Sequence, residues 1–223
     1  SHSLRKLLAV PEIAQIVVAL NPSDQRFAAL PEAGNPRVRS VTGGEQRQHS
    51  VLNALSALDD AGRDDWVLVH DAVRPCVRVA DIRRLIGAVA DEAAGGLLGA
   101  PVDNTVKQVD AQQRVLATAD RNQLWNAFTP QLFRFGVLKE ALERALESGL
   151  VITDEASAVE HAGYQPIMVA GNKSNIKITH EGDLALAEFI LSSDPGDDPL
   201  SDDAQQMNMD RSPVRDGGAQ HNG

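Results

Sequence analysis

The chain has 223 residues, with 21 Lys and Arg against 31 Asp and Glu, a net charge of −10, and 43% of its residues are hydrophobic. That length is one domain, or one domain with appendages, and the apolar content excludes a chain disordered throughout. The acidic balance argues against a general nucleic-acid binder, which needs a basic stripe; no run approaches the ~18 apolar residues of a membrane span, and no charged-then-apolar leader opens the chain. A single cysteine, Cys76, excludes an intramolecular disulfide framework and fits a reducing compartment, so a cytoplasmic globular protein is expected.

In chain order, SHSLRKLLAV begins at once in helical spacing through Leu4, Leu7 and Leu8. No strand leads into it, which reads as a fragment or a cropped start. Residues 13–20 (IAQIVVAL) form a nearly continuous apolar run, the pattern of a strand buried on both faces of a parallel sheet. Val38 to Thr42 is a second β-leaning run, closed by Gly43-Gly44. Residues 46–58 place apolar side chains at 51, 52, 55 and 58, a one-sided helix. WVLVH (66–70) is another buried strand, 80–94 a helix and 97–100 a strand. Residues 132–146 and 154–161 read as helices, 166–170 as a strand and 181–191 as the last helix. The alternation predicts a parallel α/β sheet covered on both faces.

Residues 102–124 break that rhythm. Two β-leaning halves, 105–109 and 114–118, flank a polar turn at 110–113, a hairpin signal with few large apolar side chains. A lone hairpin is marginal in water, so it lies either on its own domain or against a second copy of the chain. From Asp194 onward the composition shifts again: seven Asp against two Arg, a net of 2 − 7 = −5, with several Pro and Gly. Such a segment buries too little apolar surface to offset its ordering entropy and reads as a disordered acidic tail, leaving 1–193 as the domain.

Ligands of open α/β sheets bind beyond the carboxyl ends of the strands. Two peptides fall there. One runs from Gly43-Gly44-Glu45 to Ser50, a diglycine turn entering a helix, where backbone can approach a flat or anionic ligand and helix N–H groups are unpaired. The other is His70-Asp71-Ala72-Val73-Arg74-Pro75. An Asp with an Arg three residues on suits a metal or hydroxyl beside an anion, and equally a plain ion pair. Arg121 sits at the hairpin's end. Lys177 lies between Ile176 and Ile178, as an edge-strand charge or a buried functional cation. Thr153-Asp154-Glu155 reads as a capping segment for the helix that follows. No histidine has zinc-like spacing to Cys or a second His, and Cys76 reads as a packed small residue.

Taken together, GGEQRQHSVLNAL, VLVHDAVRP, PVDNTVK, DRNQLWNAFTPQ, ITDEASAVEHAGY and NIKITHEGDLALAE stand in the order found in 2-C-methyl-D-erythritol 4-phosphate cytidylyltransferases. The chain resembles that family over roughly residues 3–191. The resemblance implies a Rossmann-like nucleotidyltransferase α/β fold whose protruding β-arm, here about 102–124, embraces the partner subunit of a homodimer. It implies that the phosphate of 2-C-methyl-D-erythritol 4-phosphate attacks the α-phosphate of CTP, giving CDP-methylerythritol and pyrophosphate with Mg2+ bridging the triphosphate, on the non-mevalonate route to isoprenoids. By the same resemblance Gly44, Glu45 and Ser50 face the cytosine, and Asp71 and Ala72 lie by the ribose and the metal. Arg74, Thr105, Arg121, Thr129 and Thr153 surround the methylerythritol phosphate, with Thr105 and Arg121 from the other subunit, and Lys177 holds the attacking phosphate in line. No nucleic acid and no membrane enter this reading.

The sequence departs from the family at one place. Members carry a first strand and a glycine-rich loop with an Arg and, further on, a Pro-Lys-Gln segment, and nothing in the 223 residues corresponds to them. The sheet is therefore expected to lack a central member and the chain to be catalytically impaired. Two other readings stay open: a non-catalytic, dimeric phosphosugar-binding remnant, and a sibling cytidylyltransferase for another pentitol phosphate such as ribitol 5-phosphate.

Overall fold

The structure is a computed structural model and describes residues 1–193; the expected acidic tail, 194–223, lies outside the described residues. Helix α1 (His2–Leu8) starts at its N-cap Ser1 and buries Leu4 and Leu7. Strand β1 (Ile16–Leu20) pairs in parallel with β2 (Val38–Thr42), in register from Ile16↔Val38 to Leu20↔Thr42. Helix α2 (Arg47–Ser56) follows, then β3 (Trp66–Val69), α3 (Val79–Ala88), β4 (Gly95–Pro101), the hairpin β5 (Lys107–Val109) and β6 (Val115–Thr118), and β7 (Trp125–Arg134). The chain continues through α4 (Phe135–Glu147), α5 (Glu155–His161), β8 (Ile167–Ala170) and α6 (Glu181–Ser193). No described helix is long and apolar enough to cross a membrane.

The main sheet has the order β3-β7-β4-β8 and is mixed rather than all parallel. Strand β7 runs antiparallel to both β3 and β4, while β4 and β8 are parallel. The helical reading of 132–146 therefore begins three residues too early: Leu132, Phe133 and Arg134 finish β7, and α4 starts at Phe135. Pro130 hides this strand in the sequence, because proline has no N–H for a ladder and argues against a central strand. The fold accommodates it with a bulge: Leu97 pairs with Gln131 but Gly99 pairs with Ala127, so Phe128, Thr129 and Pro130 stand opposite Leu98 alone. The Thr129–Pro130 bond is cis.

Strand β4 is buried along six of its seven residues, as expected for a strand covered on both faces. By contrast β1 buries only Ile16, and β3 has no fully buried residue. Both are edge strands, because the β1-β2 pair and the four-stranded sheet are hydrogen-bonded as separate sheets. Among the described residues no strand hydrogen-bonds the β1-β2 pair to the other sheet. Gly95, at φ +131°, starts β4 where a Cβ would lie 2.0 Å from the Leu132 carbonyl oxygen, so no other residue fits.

Alternation of side chains along a strand sends neighbours to opposite faces, and two cores follow from it. Leu98 and Leu132 join Leu4, Leu7, Val10, Ile82 and Leu85 under α1 and α3. Leu97 and Phe133 join Leu55, Leu138, Leu142 and Val159 under α2, α4 and α5. The sheet is thus sandwiched between helices, with the carboxyl end of β3 left open to carry His70 and Asp71.

Candidate active site

Asp71 sits just past β3, 11% exposed, and three cations meet its carboxylate. Lys177 Nζ lies 3.1 Å from Oδ2, Arg74 Nε 3.6 Å from the same oxygen, and Arg47 Nη2 3.0 Å from Oδ1. Burial pushes the Asp71 carboxyl up, but Arg47 and then Lys177 outweigh it and hold the group below its ordinary value. Burial also draws the Arg74 guanidinium down, with Asp71 offsetting part of that.

The bulge in β7 adds a further contact to this group. It turns the Thr129 hydroxyl toward β3, where Oγ1 accepts from the Asp71 N–H at 3.0 Å and meets His70 Nδ1 at 3.1 Å. The other ring nitrogen of His70 contacts the Arg74 carbonyl at 3.1 Å. Burial pushes His70 down to about 4, so the ring is neutral near pH 7 and orients its neighbours instead of carrying charge. The side chain of buried Asn175 donates to the Thr129 carbonyl at 2.8 Å, and the backbone carbonyl of Asn175 accepts from Arg74 Nη1 at 2.8 Å. Ile178 N–H donates to Val73 C=O at 2.9 Å, which ties the Lys177 segment to the loop after β3. Bulges at such positions re-aim side chains toward sites.

Lys177 is 43% exposed and lies in a stretch with no strand, so neither the edge-strand reading nor full burial describes it. The Asp71–Arg74 ion pair expected as the plain alternative is present, though loose at 3.6 Å. The capping reading of residues 153–155 holds for Asp154, which accepts from Ser157 N–H at 2.9 Å in a reciprocal capping box. Thr153 is exposed just before that cap, its N–H donating to Ser157 Oγ at 3.1 Å. Gln131, fully buried, fixes the cap to β7 through Asp154 Oδ2 and the Ala156 N–H, each at 2.8 Å.

The diglycine turn follows β2 and is tied to Asp71 through Arg47. Gly44 N–H donates to Ser50 Oγ at 3.0 Å, and that hydroxyl donates to the Gln46 carbonyl at 3.2 Å. A Cβ on Gly44 would stand 2.2 Å from that of His49, so the turn closes only around glycine. Glu45 and Ala72 are exposed at the rim, and the Ala72 carbonyl accepts from Ser3 Oγ at 2.8 Å.

The structure thus gathers Asp71, Arg74, Thr129 and Lys177 in one hydrogen-bonded group, and Gly44 and Ser50 in one turn. Thr105 and Arg121 stand elsewhere, on the arm. Arg121 donates to the Asp103 carbonyl, and the Asp103 carboxylate pairs with Lys173; among the described residues no hydrogen bond or ion pair links either arm residue to Asp71. Two members of this group carry no sequence signal of their role there: Arg47, which joins the diglycine turn to Asp71, and Glu155, which holds it. A basic residue in the first turn of a helix stands against the helix dipole, which marks Arg47 as unusual but not what it pairs with.

Among the described residues no three His, Cys, Asp or Glu cluster as an all-protein metal cage. One carboxylate beside an anion-binding cation group is, however, the donor set Mg2+ accepts when phosphate oxygens supply most of its coordination.

Comparison with known proteins shows the family of the chain. The sequence profile of "2-C-methyl-D-erythritol 4-phosphate cytidylyltransferase" matches residues 1–193. The protein of that description from Hahella chejuensis is 49% identical over 191 residues, covering 85% of this chain and 79% of its own length. That of Serratia proteamaculans is 46% identical over 192 residues, covering 86% and 80%. Among solved structures, the Francisella tularensis cytidylyltransferase superposes with a TM-score of 0.74 at 38% identity, over 85% of this chain and 86% of the other. The synthase from Anaerococcus prevotii gives a TM-score of 0.77 at 28% identity, over 86% and 84%. With a profile match across every described residue and relatives near half identical, this chain belongs to the 2-C-methyl-D-erythritol 4-phosphate cytidylyltransferase family.

Proposed function

We propose that the chain joins CTP to 2-C-methyl-D-erythritol 4-phosphate, forming CDP-methylerythritol and pyrophosphate for isoprenoid synthesis in the cytoplasm. The observation that carries the reading is the convergence of Arg74 and Lys177 on Asp71 at the carboxyl end of β3. Both substrates are anions, and the reaction brings two phosphates together. In water, unit charges 4 Å apart repel by ~1 kcal/mol, and by several-fold more in a drier cleft. Nucleotidyl transfer needs positioning and charge neutralisation more than covalent help. An ionised phosphate is its own nucleophile, so the neutral His70 is not required as a base.

In this reading Gly44, Glu45 and Ser50 receive the cytosine, and Ala72 lies beside the ribose. Lys177 holds the attacking phosphate as a point charge, while Arg74, Thr129 and Thr153 surround the methylerythritol phosphate. Asp71 would hold Mg2+, which when bound neutralises charge on the triphosphate. On binding, Lys177 and Arg74 exchange the Asp71 carboxylate for substrate oxygens. The domain spans 1–193, and its arm, 102–124, clasps a second copy so that Thr105 and Arg121 complete the neighbouring site. Exposed Val115 and Leu116 on β6, 61% and 64% accessible, support that contact.

Calorimetry with CTP–Mg2+ tests the reading. Binding supports the cytidylyltransferase pocket, and silence favours a phosphosugar-binding remnant. Competition between methylerythritol 4-phosphate and ribitol 5-phosphate decides the acceptor: preference for ribitol 5-phosphate would contradict the proposal.

A further inference from the structure

Arg47 has no obvious reason to stand where it does. It opens α2, whose N-cap Gln46 makes no side-chain cap, and the helix N-terminus carries a partial positive charge of roughly half a unit that disfavours a cation. Two acids hold it there. Its Nη1 and Nη2 form a fork on Glu155, 2.5 Å from Oε1 and 2.9 Å from Oε2, while its Nε and Nη2 lie 3.1 and 3.0 Å from Asp71 Oδ1. Glu155 is the first residue of α5 and only 1% exposed. Among the described residues it has no other cationic partner.

Three elements are therefore pinned through one guanidinium: the Gly44–Ser50 turn that contains it, the Asp71 end of β3, and the start of α5. The turn belongs with the β1-β2 pair, and the other two with the four-stranded sheet, between which no strand hydrogen bonds run. Arg47 is the hydrogen-bonded bridge that sets the turn against Asp71. Only a planar fork can satisfy two carboxylates at once; a lysine ammonium is a single point on a flexible stem.

We propose that Glu155 and Arg47 are positioning residues that hold the base-reading turn, Gly44–Ser50, in register with Asp71, so that recognition of the pyrimidine and handling of the phosphates share one geometry. This rests on the reading of the turn and Asp71 given above. Loosening the fork lets the turn shift against Asp71, and CTP loses its advantage over a pyrimidine triphosphate with different ring hydrogen-bonding groups.

The plain alternative is a salt bridge that only stabilises the fold. Breaking a buried pair on one side leaves an uncompensated charge, whereas neutralising both sides is often tolerated. The test uses Arg47→Lys, Glu155→Gln and the double variant Arg47→Gln/Glu155→Gln, titrated calorimetrically with CTP–Mg2+ and UTP–Mg2+ alongside thermal melting. Arg47→Lys should weaken CTP binding by roughly 10–100-fold, the range for a residue that orients a ligand-holding group, and weaken UTP less. The double variant should melt close to the parent yet keep the reduced CTP preference. Recovery of both melting and CTP preference in the double variant would overturn the proposal. Asp71→Asn serves as control. Unchanged affinity for both nucleotides there, or a parent chain that binds neither or both alike, would sink the reading of the pocket itself. Loss of binding in Asp71→Asn with full CTP preference in Arg47→Lys would sink only the positioning role.

Discussion

Asp71 is 11% exposed and takes its three cations from residues 47, 74 and 177 of one chain, whereas Arg121 stands on an arm whose strands β5 and β6 expose every residue. The first group is formed within one chain. Thr129, His70 and Asn175 hold it in place from beneath, so its polar atoms are oriented before any ligand arrives. The arm has no such support; Arg121 is tied to the Asp103 carbonyl and Val115 and Leu116 face outward. Preorganisation by a buried network and completion by assembly are two ways to place a cation; the first is seen at Asp71, and the second is what we propose for Arg121.

The largest expected effect comes from the Asp71 side. Lys177→Ala should lower the turnover rate by ~10²–10³, the cost of one preorganised charge-stabilising donor, while thermal melting stays near the parent because the side chain is half exposed. Persistence of the rate would return Lys177 to a surface charge. On the arm, Leu116→Asp should leave each subunit folded but shift sedimentation from dimer to monomer and remove turnover with it. An unchanged dimer would detach the arm from assembly. Smaller is Thr129→Val, which strips the hydroxyl shared by Asp71 N–H and His70. It should cost about 1–3 kcal/mol in denaturant unfolding, as for any buried donor left unpaired, and blunt turnover through Asp71. The smallest concerns Asp183, which accepts from the Thr179 N–H and hydroxyl and the His180 N–H, just after Lys177. Those donors hold its carboxyl below the ordinary value of 3.8. A depressed acid stabilises above its unfolded pKa and loses that contribution as pH falls through the folded one. Asp183→Asn should therefore melt slightly earlier near neutral pH, and the gap to the parent should close under strong acid.

How much of this was legible depended on whether a signal was local. Leu4 and Leu7 declare the face of α1, and Leu55 that of α2, by spacing alone, and each is buried. Gly43-Gly44 and His70-Asp71 announce strand ends, and they stand directly after β2 and β3. Strand β7 was not legible, because Pro130 argues locally against a ladder that tertiary pairing nonetheless builds around a bulge. The bulge is also what carries Thr129 to Asp71, so the feature that hides the strand also supplies a contact to the site. Glu155 was read as part of a cap, since an acid in a first helical turn suits the dipole. Its pairing with a residue 108 positions earlier is a matter of topology that no local pattern encodes.

The central claim is that cations from two subunits meet at one Asp71. Co-expressing Arg121→Ala and Lys177→Ala chains tests it most directly, with 2-C-methyl-D-erythritol 4-phosphate binding measured by calorimetry. Each variant alone should fail to bind. In the mixture half of the dimers pair the two variants, and in these one site regains Lys177 from its own chain and Arg121 from the other, so roughly a quarter of sites should bind as the parent does. A mixture of stable heterodimers that binds nothing would contradict the claim and return Arg121 to the chain that carries it.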